Sequence, residues 1–180
     1  MVYETVRGSE KRHGVEILRW RIELPRYEEL EKISEFYGAI SERCVAFCQG
    51  TLRQRAEDAY DLCEDPKKRF RFDPLIYRLT GTETARQKDL LSVSLEITLK
   101  RGDTVWEREL LGQVFCESEQ ILLSPKETAR MWDGTRLSGA RKKKTGALIL
   151  REGELCEKKG DGWFPLDKLS KKAKKISETS

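Results

Sequence analysis

Hydrophobic and polar residues alternate along several stretches of the chain, which is the two-residue period of a half-buried β-strand. Residues 15–24 and 90–100 show this alternation most clearly, and residues 105–115 return from a turn at 101–104 as the partner strand of a hairpin. Residues 75–80 predict a further strand, which Asp73-Pro74 places at an edge or a bulge. The apolar positions of the strand over 90–100 are Leu91, Val93, Leu95, Ile97 and Leu99.

Between residues 27 and 62 the apolar positions recur every three or four residues instead, which predicts one long amphipathic helix. Such a helix would be about 50 Å long, with a bend near Gly50. A second, short helix is predicted to begin at Ser124-Pro125, because Ser124 and Glu127 have the spacing of a capping box. Residues 147–156 predict a last hairpin.

Together these elements predict an α+β fold, in which an antiparallel β-sheet is covered on one face by the long amphipathic helix. We divide the chain into a polar N-terminal segment (1–14), a single α+β domain (15–166) and a basic, flexible tail (167–180). Because strands of typical length span only about 17–20 Å, we expect the helix to extend beyond the sheet. Residues 147–166 are then expected to fold back over the far half of the helix, which favours a monomer over a homodimer.

The overall composition alters these predictions only slightly. Charged residues make up 37% of the chain and apolar residues 38%, against typical shares of about 25% and about 45–50%. No stretch approaches the roughly 18 apolar residues of a membrane-spanning helix, and the N-terminus lacks the apolar region of a secretion signal. We therefore expect a soluble, cytoplasmic protein.

The positive charge is concentrated at the C-terminal end. Residues 136–180 contain 13 Lys and Arg against 6 Asp and Glu, although the net charge of the whole chain is only +4. Basic ends of this kind are usually solvated tails, but they also bind nucleic acid. Under the nucleic-acid alternative, the segment 136–175 would bind through Arg141, Lys142, Lys143, Lys144, Lys158, Lys159 and Trp163.

The sequence offers little of the chemistry that catalysis requires. Its single histidine, His13, lies beside Lys11 and Arg12 in an expected loop, and the common phosphate-binding and nucleophile motifs are absent. Five cysteines in a chain without a secretion signal argue against disulfides, and Cys44 and Cys48 lack the second pair of ligands that structural zinc requires. We therefore expect a non-enzymatic protein with no catalytic residue, metal or cofactor.

A strand that ends at Pro25 is followed by a helix containing Phe36-Tyr37, by an aromatic stretch over residues 70–77 and by the strand that begins Leu-Leu-Ser-Val. In this order of elements the chain resembles an uncharacterised bacterial domain, the C-terminal domain of lysozyme-responsive anti-sigma factors, which also occurs as stand-alone clostridial and Bacteroides proteins. The resemblance spans roughly residues 15–130 and implies an α+β fold. That family carries a Gly-Gly-Ala-His-Gly-like loop where this chain has residues 100–103, Lys-Arg-Gly-Asp, so the resemblance implies no loop-based function.

Two hypotheses about function remain. The first is a binding module for an unknown protein or small ligand, which would use the polar face of the sheet or the exposed half of the long helix. The alternative is a nucleic-acid-associated protein that acts through its basic C-terminal segment.

Overall fold

A computed structural model of the protein describes residues 1–63, 65, 71–133 and 148–165. Its main sheet has six strands in chain order, β1 to β6. These strands are β1 (Val2–Arg12), β2 (Val15–Arg26), β3 (Leu75–Gln87), β4 (Leu90–Arg101), β5 (Thr104–Cys116) and β6 (Ile121–Leu122). A smaller sheet contains β7 (Leu148–Arg151), β8 (Glu154–Lys159) and β9 (Gly162–Pro165).

The long helix has 31 residues and lies between β2 and β3. It consists of α1 (Glu31–Phe47), one turn of π-helix (Cys48–Leu52) and α2 (Arg53–Asp61). The π-helical turn contains Gly50, where the sequence predicts a bend. A short helix, α3 (Pro125–Asp133), begins as predicted, since the backbone N–H of Ser124 donates to Glu127 Oε2 at 2.8 Å.

The sheet is antiparallel except for one pair of strands. Strands β2 and β3 run parallel, with Arg21 opposite Arg78. The prediction of a wholly antiparallel sheet is therefore wrong at this pair. The long helix is the reason, because it carries the chain back to the end of the sheet at which β2 began, as a crossover connection between parallel strands must.

The main core contains apolar side chains from both the helix and the sheet, and we call the sheet face that contributes to it the inner face. Both α1 and α2 contact β2, and Phe36 of α1 lies edge-to-face against Phe115 of β5. The alternating residues of β4 contribute as predicted, since Leu91, Val93 and Leu95 are buried in this core.

Residues 148–165, the described part of the segment 147–166, do not cover the far half of the helix, so that prediction is wrong. Cys48, Leu52 and Ala56 are already buried in the main core, which contains no residue of β7, β8 or β9. The error came from strand length. Strands β1 to β5 have 11 to 13 residues, which corresponds to roughly 36–43 Å at about 3.3 Å per residue and nearly matches the helix.

The small sheet packs instead on the opposite face of the main sheet, which we call the outer face. Ser92 Oγ accepts a hydrogen bond from the backbone N–H of Leu150 at 2.8 Å, and the indole N–H of Trp163 donates to Ser94 Oγ at 3.2 Å. A second core of buried residues forms where Leu148, Leu150 and Leu155 meet Leu90 and Val114. The outer face is therefore partly covered, whereas the alternation in β4 predicted cover on the inner face only.

Strand β1 was not predicted, because its residues were assigned to a polar N-terminal segment. It pairs with β2 along its whole length, apart from a register shift between Glu10 and Lys11, and it forms one edge of the main sheet.

Candidate functional site

The part of the outer face that the small sheet leaves open carries a basic groove of about 600 Å³. It crosses strands β1 to β4 and is lined by cationic side chains from each of them. These cationic side chains are Arg7, Arg19, Arg21, Arg78 and Lys100. A single carboxylate, that of Glu16, also lines the groove.

Strand register places these residues side by side. Arg7 of β1 lies opposite Arg21 of β2, and Arg21 lies opposite Arg78 of β3. Neighbouring strands lie about 4.8 Å apart, so the three arginines form a row across the sheet. Arg19 and Lys100 belong to the neighbouring row, in which both lie opposite Ile76 of β3. This row is two residues away from the arginine row along each strand, so its side chains lie on the same face.

Internal ion pairs neutralise only part of this charge. Arg21 binds Glu23 at 2.6 Å and Arg19 binds Glu16 at 2.5 Å. Within the described residues no carboxylate pairs with Arg7, Arg78 or Lys100. The Nε atom of Arg21 is buried and has no hydrogen-bond partner there either. The groove therefore offers unpaired cationic groups to an anionic ligand.

The floor of the groove is closely packed. A Cβ atom on Gly8 would lie only 2.0 Å from Trp20 Cζ2, so the indole ring fits under β1 only because residue 8 is a glycine. Trp20 and Tyr77 are each 5% exposed, so the aromatic residues that line the groove present almost no ring surface to a ligand. The groove thus offers charge and hydrogen-bond donors without a stacking surface.

Other polar groups lie inside the fold and away from the groove. Burial raises the pKa of the Tyr27 and Tyr37 hydroxyls well above the ordinary value, and the charge of Glu83 adds to both shifts. Burial likewise raises the pKa of the Cys48 thiol to about 12, with a smaller contribution from Cys44. These groups stay neutral at physiological pH, which suits a structural role rather than acid–base or nucleophilic chemistry.

The residues of the nucleic-acid alternative do not form one surface within the described part of the chain. Arg141, Lys142, Lys143 and Lys144 lie outside the described residues. Lys158 lies opposite Trp163 in the small sheet, and Lys159 pairs with Glu157 at 2.8 Å. Trp163 is partly buried against the main sheet, where its side chain bonds to Ser94. None of Lys158, Lys159 and Trp163 lines the basic groove.

The groove residues were not predicted as a site from the sequence. The alternation in residues 15–24 placed Arg19 and Arg21 on the outer face, but each is an ordinary surface charge when its strand is considered alone. The available signal was the polar face itself, which one hypothesis proposed as a binding surface. The grouping of the cationic side chains depends on pairing between strands that are distant in sequence.

The described residues contain neither a metal-binding cluster nor a membrane-spanning helix. No group of three or more His, Cys, Asp or Glu side chains among them is placed to hold a metal ion. No helix in the described part of the chain is long and apolar enough to cross a membrane.

Comparison with known proteins shows similarity at the level of fold. No protein-family model and no curated protein sequence matches the chain. The structure is similar to that of a DUF3298 family member from Bacteroides fragilis, with a TM-score of 0.52 and 9% identity over 87% of this chain and 82% of the other. A DUF3298 family protein from Pseudomonas aeruginosa gives a TM-score of 0.49 and 12% identity, over 86% of this chain and 80% of its own. The similarity to the Bacteroides protein supports the expected relation to an uncharacterised bacterial domain as a shared fold, without any activity attached, and the relation to anti-sigma factors stays a prediction.

Proposed function

We propose that the protein is a non-enzymatic binding module that binds anionic ligands in the basic groove. In this proposal the long helix covers the inner face of the sheet and serves as structural support, while the open part of the outer face is the binding surface. The observation that carries the proposal is the row of Arg7, Arg21 and Arg78 across three strands, in which Arg7 and Arg78 lack a carboxylate partner among the described residues.

Arginine suits this task because its planar guanidinium group donates two parallel hydrogen bonds to one carboxylate or phosphate. An exposed ion pair contributes only about 0.2–1 kcal/mol. A ligand therefore gains useful affinity only if several of its anionic groups bind at once, which favours a polyanion over a single small anion. The β-sheet backbone fixes the spacing of the cations, so less ordering is required on binding than on a flexible basic tail.

The test measures binding of fluorescently labelled inorganic polyphosphate by anisotropy at low and at physiological salt. We expect Arg78→Glu and Arg7→Glu each to weaken binding at least fivefold, and added salt to weaken binding to the unchanged protein. Arg55→Glu, an exposed residue of α2, is the matched control and should change the affinity less than twofold. Circular dichroism checks that all variants are folded.

A further variant separates the groove from the basic C-terminal segment. Replacing Lys142, Lys143 and Lys144 with alanine removes three positive charges of the basic C-terminal segment. Loss of polyphosphate binding in this variant, together with unchanged binding by Arg78→Glu, would overturn the proposal in favour of the nucleic-acid alternative. Absence of polyphosphate binding at low salt would refute both the proposed function and the nucleic-acid alternative.

A further inference from the structure

We infer that the ligand of the basic groove is an extended acidic peptide segment that adds to the main sheet as a new strand beside β1. This inference rests on the proposed function and specifies the class of its ligand. The peptide backbone would hydrogen-bond to the free edge of β1, and an acidic side chain on the outer face would lie beside Arg7, at the β1 end of the arginine row.

Strand β1 has a free edge on the side away from β2. This strand has 11 residues and pairs only with β2, so its other edge has no strand partner within the described residues. An unpaired edge presents a row of backbone N–H and C=O groups that can accept another strand. The regular part of the edge extends over residues 2–10, up to the register shift between Glu10 and Lys11. That length fits a peptide of about eight to nine residues.

The same strand also forms the border of the groove. Thr5, Arg7 and Ser9 pair with Glu23, Arg21 and Arg19 and so lie on the outer face. Side chains at alternate positions of an added strand would lie on this face too, about 6.6–7 Å apart. A carboxylate directly opposite Arg7 would meet a cation that has no carboxylate partner among the described residues, with Arg21 and Arg78 behind it.

Charge decides against a second copy of this chain as the added strand. Two β1 strands related by a two-fold axis would keep their outer faces on the same side of the joined sheet. The two basic grooves would then adjoin, and like charges on facing strands destabilise the pair. An acidic strand of another protein reverses the sign of this interaction.

The groove also suits a peptide better than a nucleic acid. Single-stranded nucleic acids gain roughly 1–3 kcal/mol per base from stacking on exposed aromatic rings. Trp20 and Tyr77, the aromatic residues that line the groove, are almost completely buried. Backbone hydrogen bonds along an edge strand have no equivalent partner in a nucleic acid, whereas a peptide provides them at every second residue.

The test compares four labelled nine-residue peptides of related composition. The first has Glu at alternate positions between Thr and Val, and the second has the same residues with the Glu grouped at one end. The third and fourth are the first peptide with N-methyl groups at alternate backbone nitrogens in the two possible registers, because only one register faces β1. We expect the alternating peptide to bind at least tenfold more tightly than the grouped peptide and than one of the two methylated forms.

A second readout is independent of affinity. Hydrogen exchange measured with and without the alternating peptide should slow at amides within residues 2–10 and remain unchanged in the long helix. Arg7→Glu should weaken binding of the alternating peptide at least tenfold, and Arg55→Glu is again the matched control.

The outcomes distinguish the inference from the proposed function. If polyphosphate binding depends on Arg78 but all the peptides bind equally and the β1 amides are not protected, the inference is wrong and the anion-binding function stands. Tighter binding of a single-stranded oligonucleotide than of the alternating peptide, with the same dependence on Arg7, would also refute the peptide. If no polyanion binds in the groove, both proposals fail together.

Discussion

Substituting Gly112 by alanine tests how the small sheet docks on the outer face. A Cβ atom at this position of β5 would lie 2.4 Å from the backbone oxygen of Leu148, 2.7 Å from Ile149 Cγ2 and 2.8 Å from Trp163 Cη2. Carbon atoms pack at about 3.5–4.0 Å, so the small sheet would have to retreat by roughly 1 Å. Overpacking of this kind costs about 1–3 kcal/mol. We therefore expect Gly112→Ala to lower the free energy of unfolding by that amount.

Urea denaturation followed by circular dichroism gives the free energy, and hydrogen exchange over residues 148–165 shows where the loss occurs. Gly38→Ala is the matched control, because nothing lies within 4 Å of its added Cβ and residue 38 is an exposed position of α1. The same chemical change there should stabilise the protein, by up to about 1 kcal/mol. If Gly112→Ala leaves both stability and exchange unchanged, the small sheet does not dock as described.

Three further changes test the core, the thiols and the capping box. Leu95→Ala should lower the free energy of unfolding by about 2–5 kcal/mol, because Leu95 is only 2% exposed; a urea-measured loss below about 0.5 kcal/mol would contradict its place in the core. Cys48, with a pKa raised to about 12 by burial, should resist iodoacetamide at pH 8 until urea unfolds the chain, and peptide mass spectrometry after native labelling would reveal the contrary. Ser124→Ala should raise the pKa of Glu127, because the hydrogen bond from the Ser124 hydroxyl is the largest of the interactions that lower it. A carboxyl group whose pKa is lower in the folded than in the unfolded protein stabilises the fold at pH values above its unfolded pKa, and this stabilisation is lost as the pH falls through the folded pKa. The difference in free energy of unfolding between Ser124→Ala and the unchanged protein should therefore shrink in acid. NMR titration of Glu127 measures the change in its pKa directly.

Elements with a strong local pattern could be predicted from the sequence. The alternation from Leu91 to Leu99 identified β4 and its buried face, and the spacing of Ser124 and Glu127 identified the start of α3. Strand β1 lacks such a pattern. Its inward positions include Glu4, Gly8 and Glu10, so few apolar side chains mark it, and it forms because β2 offers a free edge and β1 can bring Gly8 over the ring of Trp20.

Strand length and direction were the main failures, and both are set by tertiary structure. The length expected for the sheet came from an average strand, although β3 and β5 each have 13 residues. The parallel pairing of β2 and β3 depends on the path of the long helix, which no local pattern records. The prediction that residues 147–166 fold back over the helix followed from the underestimated strand length.

The basic groove could not be predicted because no single strand contains it. Arg7, Arg21 and Arg78 become neighbours only through the pairings of β1 with β2 and of β2 with β3. The same register fixes the core: Tyr77 and Leu79 are buried on the inner face, and Arg78 between them must point outward. A shift of β3 by one residue would bury Arg78 and expose its apolar neighbours. The free energy that selects the core therefore also selects the arginine row, and the groove is as firmly specified as the fold although its residues contribute little to stability.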